Sequence, residues 1–167
     1  MLVLALSEST LQVADVLGKH PKMVALRVIS DIAAALEYIE REKISGLDAI
    51  VVEMGDVTNS NEADTVRAFD DILAQIKQRR AFIGKIVTIF SEQNAHLADR
   101  AFRMKCDSYF CIDPEKIDKT ASEILASVET GALMVSPQLR TAFYSYCNSL
   151  APQNAQVNAL TNKMLAR

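Results

Sequence analysis

The sequence predicts an α/β domain built on a doubly wound sheet of five parallel strands, in the order 2-1-3-4-5. Five short apolar runs each end in a polar cluster, which is typical of buried parallel strands. A stretch with helical apolar spacing follows each run. The five strand–helix units fit into about 130 residues, the size of one compact domain.

The first three strands are predicted at residues 2–6, 24–29 and 49–52. Thr10 is expected to cap the first helix, whose inner face carries Leu11, Ala14 and Leu17 and which Gly18 ends. The second helix is expected to begin after a cap at Ser30 or Asp31 and to turn Ile32, Leu36 and Ile39 inward.

The second half repeats the pattern. A polar loop at 55–62 precedes a long amphipathic helix at 63–79, and strands are predicted at 86–90 and 109–112. The apolar face of the fourth helix carries Leu97, Ala101 and Phe102. That of the fifth helix carries Ile117, Ala121, Ile124 and Val128.

The pattern changes after Gly131, so the domain is predicted at 1–131, with a linker helix and tail at 132–167. Pro137 suits the first turn of the linker helix, which needs no N–H there. This helix, predicted at 137–150, has one apolar stripe, made of Leu139, Phe143, Tyr146 and Leu150. A break at Pro152, Gln153 and Asn154 precedes a weaker helix with Val157, Leu160 and Met164.

Composition narrows the function classes. The chain has 167 residues, of which 50% are hydrophobic, and a net charge of -3. This balance argues against nucleic-acid binding by this segment, which needs a basic face. There is no signal-peptide pattern and no membrane-length apolar run. Cys106, Cys111 and Cys147 do not suggest a disulfide framework and are expected to be buried thiols, so no metal site or cofactor is expected. Together these features predict a soluble cytoplasmic protein.

Candidate functional residues lie where the strands end, because open α/β sheets bind ligands at the carboxyl ends of their strands. They are Ser7–Glu8, Glu53–Met54, Ser91–Glu92 and Ile112–Asp113.

This layout resembles the receiver domain of bacterial two-component response regulators over about residues 1–130. The stretch ETGALMVSPQLRTAF, at 129–143, resembles the end of the receiver and the start of the linker in LuxR-type regulators. The final ALTNKMLAR, at 159–167, resembles the opening of a LuxR-type helix-turn-helix domain. The resemblance implies that DNA is contacted only through that downstream domain, which this chain does not contain.

The resemblance assigns a role to each strand end. In a working receiver, two acids after the first strand hold Mg²⁺, and an aspartate after the third accepts the phosphoryl group. A hydroxyl after the fourth contacts the phosphoryl oxygens, and a lysine after the fifth pairs with their charge. These positions fall on Ser7 and Glu8, on Glu53, on Ser91 and on Ile112.

Three of these positions depart from the family pattern, at Ser7, Glu53 and Ile112, so we expect a degenerate phosphorylation site and no enzymatic activity. Three interpretations of Glu53 remain open. It is a solvated carboxylate at a strand end, a permanent mimic of the phosphorylated state that reaches outward toward Ser91, or a residue of residual phosphotransfer.

The family's switch residues fall on Ser91 and Tyr109. Tyr109 matches the aromatic switch position, three residues before Ile112. The alternative is an ordinary strand-end tyrosine, half-buried with its hydroxyl in water.

The expected function is a phosphorylation-independent regulatory or dimerisation module of a bacterial signalling or transcription regulator. The alternatives are a receiver with residual Mg²⁺-dependent phosphotransfer through Glu8 and Glu53, or a small-ligand domain that uses the strand-end crevice. The expected partner is protein, with a homodimer favoured and no membrane.

Receivers of this kind commonly pair through the fourth helix, fifth strand and fifth helix, or through the first and fifth helices. Here the interface is predicted on the stripe Leu139, Phe143, Tyr146 and Leu150. The alternatives are that this stripe packs against its own domain or is covered by the downstream domain.

Overall fold

The computed structural model describes residues 1–150 and contains a five-stranded parallel sheet in the order β2-β1-β3-β4-β5. The predicted fold class and strand order are therefore confirmed. The strands are β1 (Leu2–Leu4), β2 (Arg27–Ile29), β3 (Ala49–Glu53), β4 (Lys85–Phe90) and β5 (Ser108–Cys111). The predictions for the break at 152–154, the helix with Val157, Leu160 and Met164, and the helix-turn-helix resemblance at 159–167 lie outside the described residues.

Helices cover both faces of the sheet. They are α1 (Glu8–Gly18), α2 (Ile32–Arg41), α3 (Glu62–Gln78), α4 (Asp99–Arg103), α5 (Ile117–Thr130) and α6 (137–150), with short 3₁₀ turns at Ile44–Gly46 and Ala95–Leu97. Side chains alternate along each strand. Val3, Val51 and Val87 therefore share one core with α1 and α5, whereas Leu4 and Val52 share another with α2 and α3.

Helix caps and strand starts differ in detail from the expectations. Ser7, not Thr10, caps α1, and its Oγ accepts a hydrogen bond from the Thr10 N–H at 3.2 Å. Asp31 caps α2, as one of the two predicted candidates, by accepting from the Ala34 N–H at 2.8 Å. The strand predicted from residue 24 begins only at Arg27, and Val24 is 99% exposed.

A short segment after α5 extends the sheet beyond β5. The Tyr109 N–H donates to the Met134 oxygen at 2.9 Å, and the Ser136 N–H donates to the Tyr109 oxygen at 3.0 Å. The Cys111 N–H donates to Ser136 Oγ at 2.9 Å. Because these bonds satisfy backbone groups of β5, this edge of the sheet is paired within the chain.

Helix α6 packs against α4 and β5 of its own chain. The Phe102 ring meets the rings of Tyr109, Phe143 and Tyr146 at centroid distances of 4.8, 5.3 and 5.9 Å. Leu139 is 1% exposed within the core. This packing corresponds to the alternative in which the stripe packs against its own domain. Leu139 is therefore not available to a second copy, and Leu150, 42% exposed, is the member of the stripe that stays in solvent.

The cysteines divide into two groups. Cys106 and Cys111 are buried, and burial raises the pKa of their thiols to about 12 and about 11. Cys147 on α6 is exposed, so the expectation of a buried thiol is wrong for that residue. Within residues 1–150, no helix combines the length and hydropathy that a bilayer span needs.

The packing of α6 predicts a large asymmetry between two leucines of one helix. Leu139→Ala should lower the free energy of unfolding by about 2–5 kcal/mol, because it opens a cavity in the core. The matched control, Leu150→Ala, should change it by less than about 0.5 kcal/mol. Urea unfolding measures both, and equal effects would show that α6 does not pack as described.

Candidate functional site at the strand ends

The four predicted strand ends meet at one edge of the sheet, because all five strands are parallel. Ser7 begins α1 just after β1, and Glu53 is the last residue of β3. Ser91 and Ile112 directly follow β4 and β5. The structure therefore brings these positions to one edge, but it does not join them in one polar cluster.

Glu53 turns toward the β1–α1 connection. It is 4% exposed, and its Oε2 accepts hydrogen bonds from the Leu6 N–H and, at 3.0 Å, from the Ser7 N–H. Its Oε1 accepts from the Ser7 hydroxyl. The solvated-carboxylate interpretation is therefore wrong. The mimic that reaches outward toward Ser91 is also wrong in its geometry, because both oxygens are engaged on the β1 side.

The physical basis of this arrangement is the positive end of α1. Burying a carboxylate is costly unless donors replace its water. Two backbone N–H groups at the start of the helix supply them, and the helix dipole favours negative charge there. The additional methylene of Glu53, relative to aspartate, gives the carboxylate the reach to cross to the neighbouring strand's loop.

Ser7 makes the arrangement possible. Its hydroxyl donates to Glu53 and accepts from the Thr10 N–H, so one side chain serves both Glu53 and the helix cap. An acid at this position would set a second carboxylate against Glu53, and like charges that close repel. The residues at 7 and 53 thus fit each other.

Ser91 lies beside a second connection that the sequence did not reveal. Its backbone N–H donates to Asn94 Oδ1 at 2.7 Å, and Asn94 Nδ2 donates to the oxygens of Met54 and Gly55, each at 3.0 Å. Ser91 Oγ is buried without a hydrogen-bond partner among the described residues. Asn94 is 0% exposed, and this asparagine ties the loop after β4 to the loop after β3.

Ile112 packs in the core. It is 4% exposed and belongs to the apolar cluster formed with Leu17 and Ala121 of the helices α1 and α5. The next cation along the chain, Lys116, lies 3.9 Å from Asp113 Oδ2 with a side chain that is 62% exposed. Position 112 therefore offers no charge to an anion.

Tyr109 is held inside the protein. It is 3% exposed, its hydroxyl donates to the Cys106 oxygen at 2.9 Å, and its ring packs against Phe102 and Phe143. Burial raises the pKa of its hydroxyl well above the usual value. The half-buried interpretation with a hydrated hydroxyl is wrong, whereas a switch role for Tyr109 and Ser91 stays a prediction.

The residues at these strand ends do not fit a magnesium ion. Both oxygens of Glu53 already accept from N–H and O–H donors, whose positive ends would oppose a cation. Glu8 is exposed on the first turn of α1. Within residues 1–150, no three Asp, Glu, His or Cys side chains converge. The hollow between α5 and α6 and the hollow beside residues 40–45 and 78–82 are lined by other residues.

The comparisons with known proteins support the fold. No protein-family model matches the chain, and no curated protein matches it significantly. Among solved structures, the chain is similar to the phosphorylated cyanobacterial phytochrome response regulator RcpA, with 12% sequence identity and a TM-score of 0.58. The match covers 78% of this chain and 94% of that chain.

The fold is therefore the one that the chain shares with the response regulator RcpA, a flavodoxin-like parallel sheet with helices on both faces. At 12% identity, the similarity to RcpA concerns the fold and not the site.

The buried carboxylate predicts an order among three variants of Glu53. Glu53→Ala leaves the N–H groups of Leu6 and Ser7 without acceptors and should cost roughly 2–4 kcal/mol of stability. Glu53→Gln should cost less than about half of that, because its oxygen can accept from both N–H groups while its amide donates to Ser7 Oγ. Glu53→Asp should fall near the alanine variant, because it is one methylene too short.

Urea unfolding of the three variants, with exposed Glu92→Ala as control, tests this order. If Glu53→Ala were as stable as Glu92→Ala, the described hydrogen bonds would contribute nothing and the arrangement would be refuted.

Proposed function

We propose that this chain is a phosphorylation-independent regulatory module, which acts by binding protein partners rather than by phosphotransfer. The observation that carries the proposal is the engagement of both Glu53 oxygens by Leu6 and Ser7. A nucleophilic carboxylate needs a free oxygen directed at the phosphoryl donor, and misplacement by about 1 Å can cost a hundredfold in rate.

Charge arguments support the same proposal. A phosphoryl group bound at the strand ends needs cations around its oxygens. Ile112 supplies an aliphatic side chain in that place, and Ser7 supplies a hydroxyl that Glu53 already uses. Residual phosphotransfer through Glu8 and Glu53 would therefore have to break the Glu53 hydrogen bonds and work without the lysine.

The loops around the site favour one fixed state. Hydrogen bonds of Glu53 connect the ends of β1 and β3, and those of Asn94 connect the ends of β3 and β4. The Tyr109 hydroxyl donates to the Cys106 backbone oxygen. Each of these bonds holds buried polar groups that are costly to leave unsatisfied. We propose that the module presents a constant surface, within a regulator of LuxR type whose DNA contacts come from a downstream helix-turn-helix domain.

Incubation with Mg²⁺ and acetyl phosphate, followed by intact-mass measurement, tests the loss of phosphotransfer. We expect no mass gain of a phosphoryl group, whereas an active receiver treated in parallel should gain one. A Mg²⁺-dependent gain that disappears in Glu53→Gln would contradict the proposal and establish residual phosphotransfer instead.

A homodimer remains part of the proposal, on a different surface from the α6 stripe. Val24 and Ile83 are 99% and 87% exposed at the end of the sheet where the strands begin. Each lines a hollow, and both hollows share Leu47 and Val128. In a two-fold dimer the same surface of both copies forms the interface, so these aliphatic side chains of one copy would be buried in the hollows of the other.

Sedimentation equilibrium at tens of micromolar tests this surface. The parent should contain dimers, and Val24→Asp with Ile83→Asp should be monomeric with an unchanged melting temperature, because both side chains are exposed. The control is Leu11→Asp on α1, which should leave the dimer intact. Leu11 was predicted on the inner face of this helix, but that prediction is wrong, because its side chain is 40% exposed. A monomeric parent, or a dimer lost equally in the control, would contradict the proposed interface.

A further inference from the structure

A cleft of about 460 Å³ lies between α5 and α6, and Glu53 is not among the residues that line it. Its floor is the segment that extends the sheet beyond β5, with Met134 and Val135. Lys119 and Glu123 of α5 form one wall, and Arg140 and Tyr144 of α6 form part of the other. This volume falls in the range of roughly 300–1,000 Å³ that small-molecule sites occupy.

The apolar part of the lining is left open to solvent. Leu133 is 53% exposed and Tyr144 is 61% exposed. Phe143, in the same lining, is partly buried against the core. Large apolar side chains that converge on one concave surface favour a ligand with an apolar body, and the tyrosine ring offers a flat face for an aromatic one.

The charged part of the lining has an excess of one cation. Arg140 uses its Nε to donate to the Val135 oxygen at 3.1 Å, and none of its nitrogens lies within ion-pair distance of a carboxylate in residues 1–150. Lys119 has its own partner, because its Nζ lies 3.9 Å from Glu123 Oε1. The Arg140 backbone contact fixes the guanidinium at the cleft while its terminal nitrogens stay free to donate.

We infer that this cleft binds a small aromatic carboxylate, with its ring on Tyr144 and Leu133 and its carboxylate on Arg140. A guanidinium donates two parallel hydrogen bonds to a carboxylate, which a lysine ammonium does not. The cleft also lies where α6 begins, and the positive end of a helix favours an anion. A neutral or cationic ligand of the same shape gains neither contact.

Binding there would link the sheet to α6. The ligand would touch α5 and the sheet extension on one side and α6 on the other, so its binding would stabilise the packed position of α6. This consequence gives the proposed regulatory module an input that needs no phosphate, but the binding itself does not depend on the proposed function.

Isothermal titration calorimetry of 2-naphthoate binding to the 167-residue chain tests the inference. We expect saturable binding of one molecule per chain, and at least about tenfold weaker binding of the neutral isostere 2-naphthamide. Arg140→Gln should remove the preference for the carboxylate, whereas the control Arg67→Gln, at an exposed arginine of α3, should retain it.

Two results would overturn the inference. One is equal affinity for 2-naphthoate and 2-naphthamide, or no saturation up to about 5 mM. The other is a carboxylate preference that persists in Arg140→Gln with an unchanged melting curve. Tyr144→Ala separates the apolar contribution, because it should weaken both compounds by a similar factor.

Discussion

The acceptance of three hydrogen bonds by Glu53 is the constraint around which the strand-end surface is built. A carboxylate that is 4% exposed is tolerable only where donors replace its water. The donors come from the point at which β1 becomes α1, so the bonds connect the β3 end to the start of a helix. If the loops after β1 and β3 moved apart, two N–H groups would lose their acceptor and the Glu53 carboxylate would lose its donors, at a cost in stability.

A second constraint is the pairing of the sheet edge formed by β5. A free parallel edge exposes unpaired N–H and C=O groups, which invite association. Here residues 134–136 satisfy them, and the same segment leads directly into α6. The aromatic contacts of Phe102 and Tyr109 then hold α6 against the body. Helix α6 of the same chain thus covers α4 and β5, and the cleft beside Arg140 lies between α6 and α5.

The sequence predicted the sheet and its order because strand and helix periodicities are local properties that burial reinforces. It also placed Ser7, Glu53, Ser91 and Ile112 at one edge of the sheet, since parallel strands share one carboxyl edge, but it did not predict which of them contact one another. It did not predict the direction in which Glu53 turns, because a side-chain rotamer depends on donors in a loop 46 residues away. Asn94 was missed for a similar reason, although its place in the polar cluster after β4 is the signal that could have identified it. The packing of α6 was an open alternative, because an amphipathic stripe specifies that it is buried but not by what.

The residues at positions 7, 53 and 112 are each accommodated by their surroundings in the folded chain. Glu53 needs the Leu6 and Ser7 donors, and an acid at position 7 would repel it. With Glu53 turned toward α1, its carboxylate already accepts from N–H and O–H donors and needs no lysine. Ile112 lies in the apolar cluster of Leu17 and Ala121, where an ammonium group would be more costly to bury than an isoleucine. The aliphatic side chain instead adds to the core between α1 and α5. An acid at position 7 or an ammonium at position 112 would therefore destabilise this surface, because the one would repel Glu53 and the other would lie among apolar side chains.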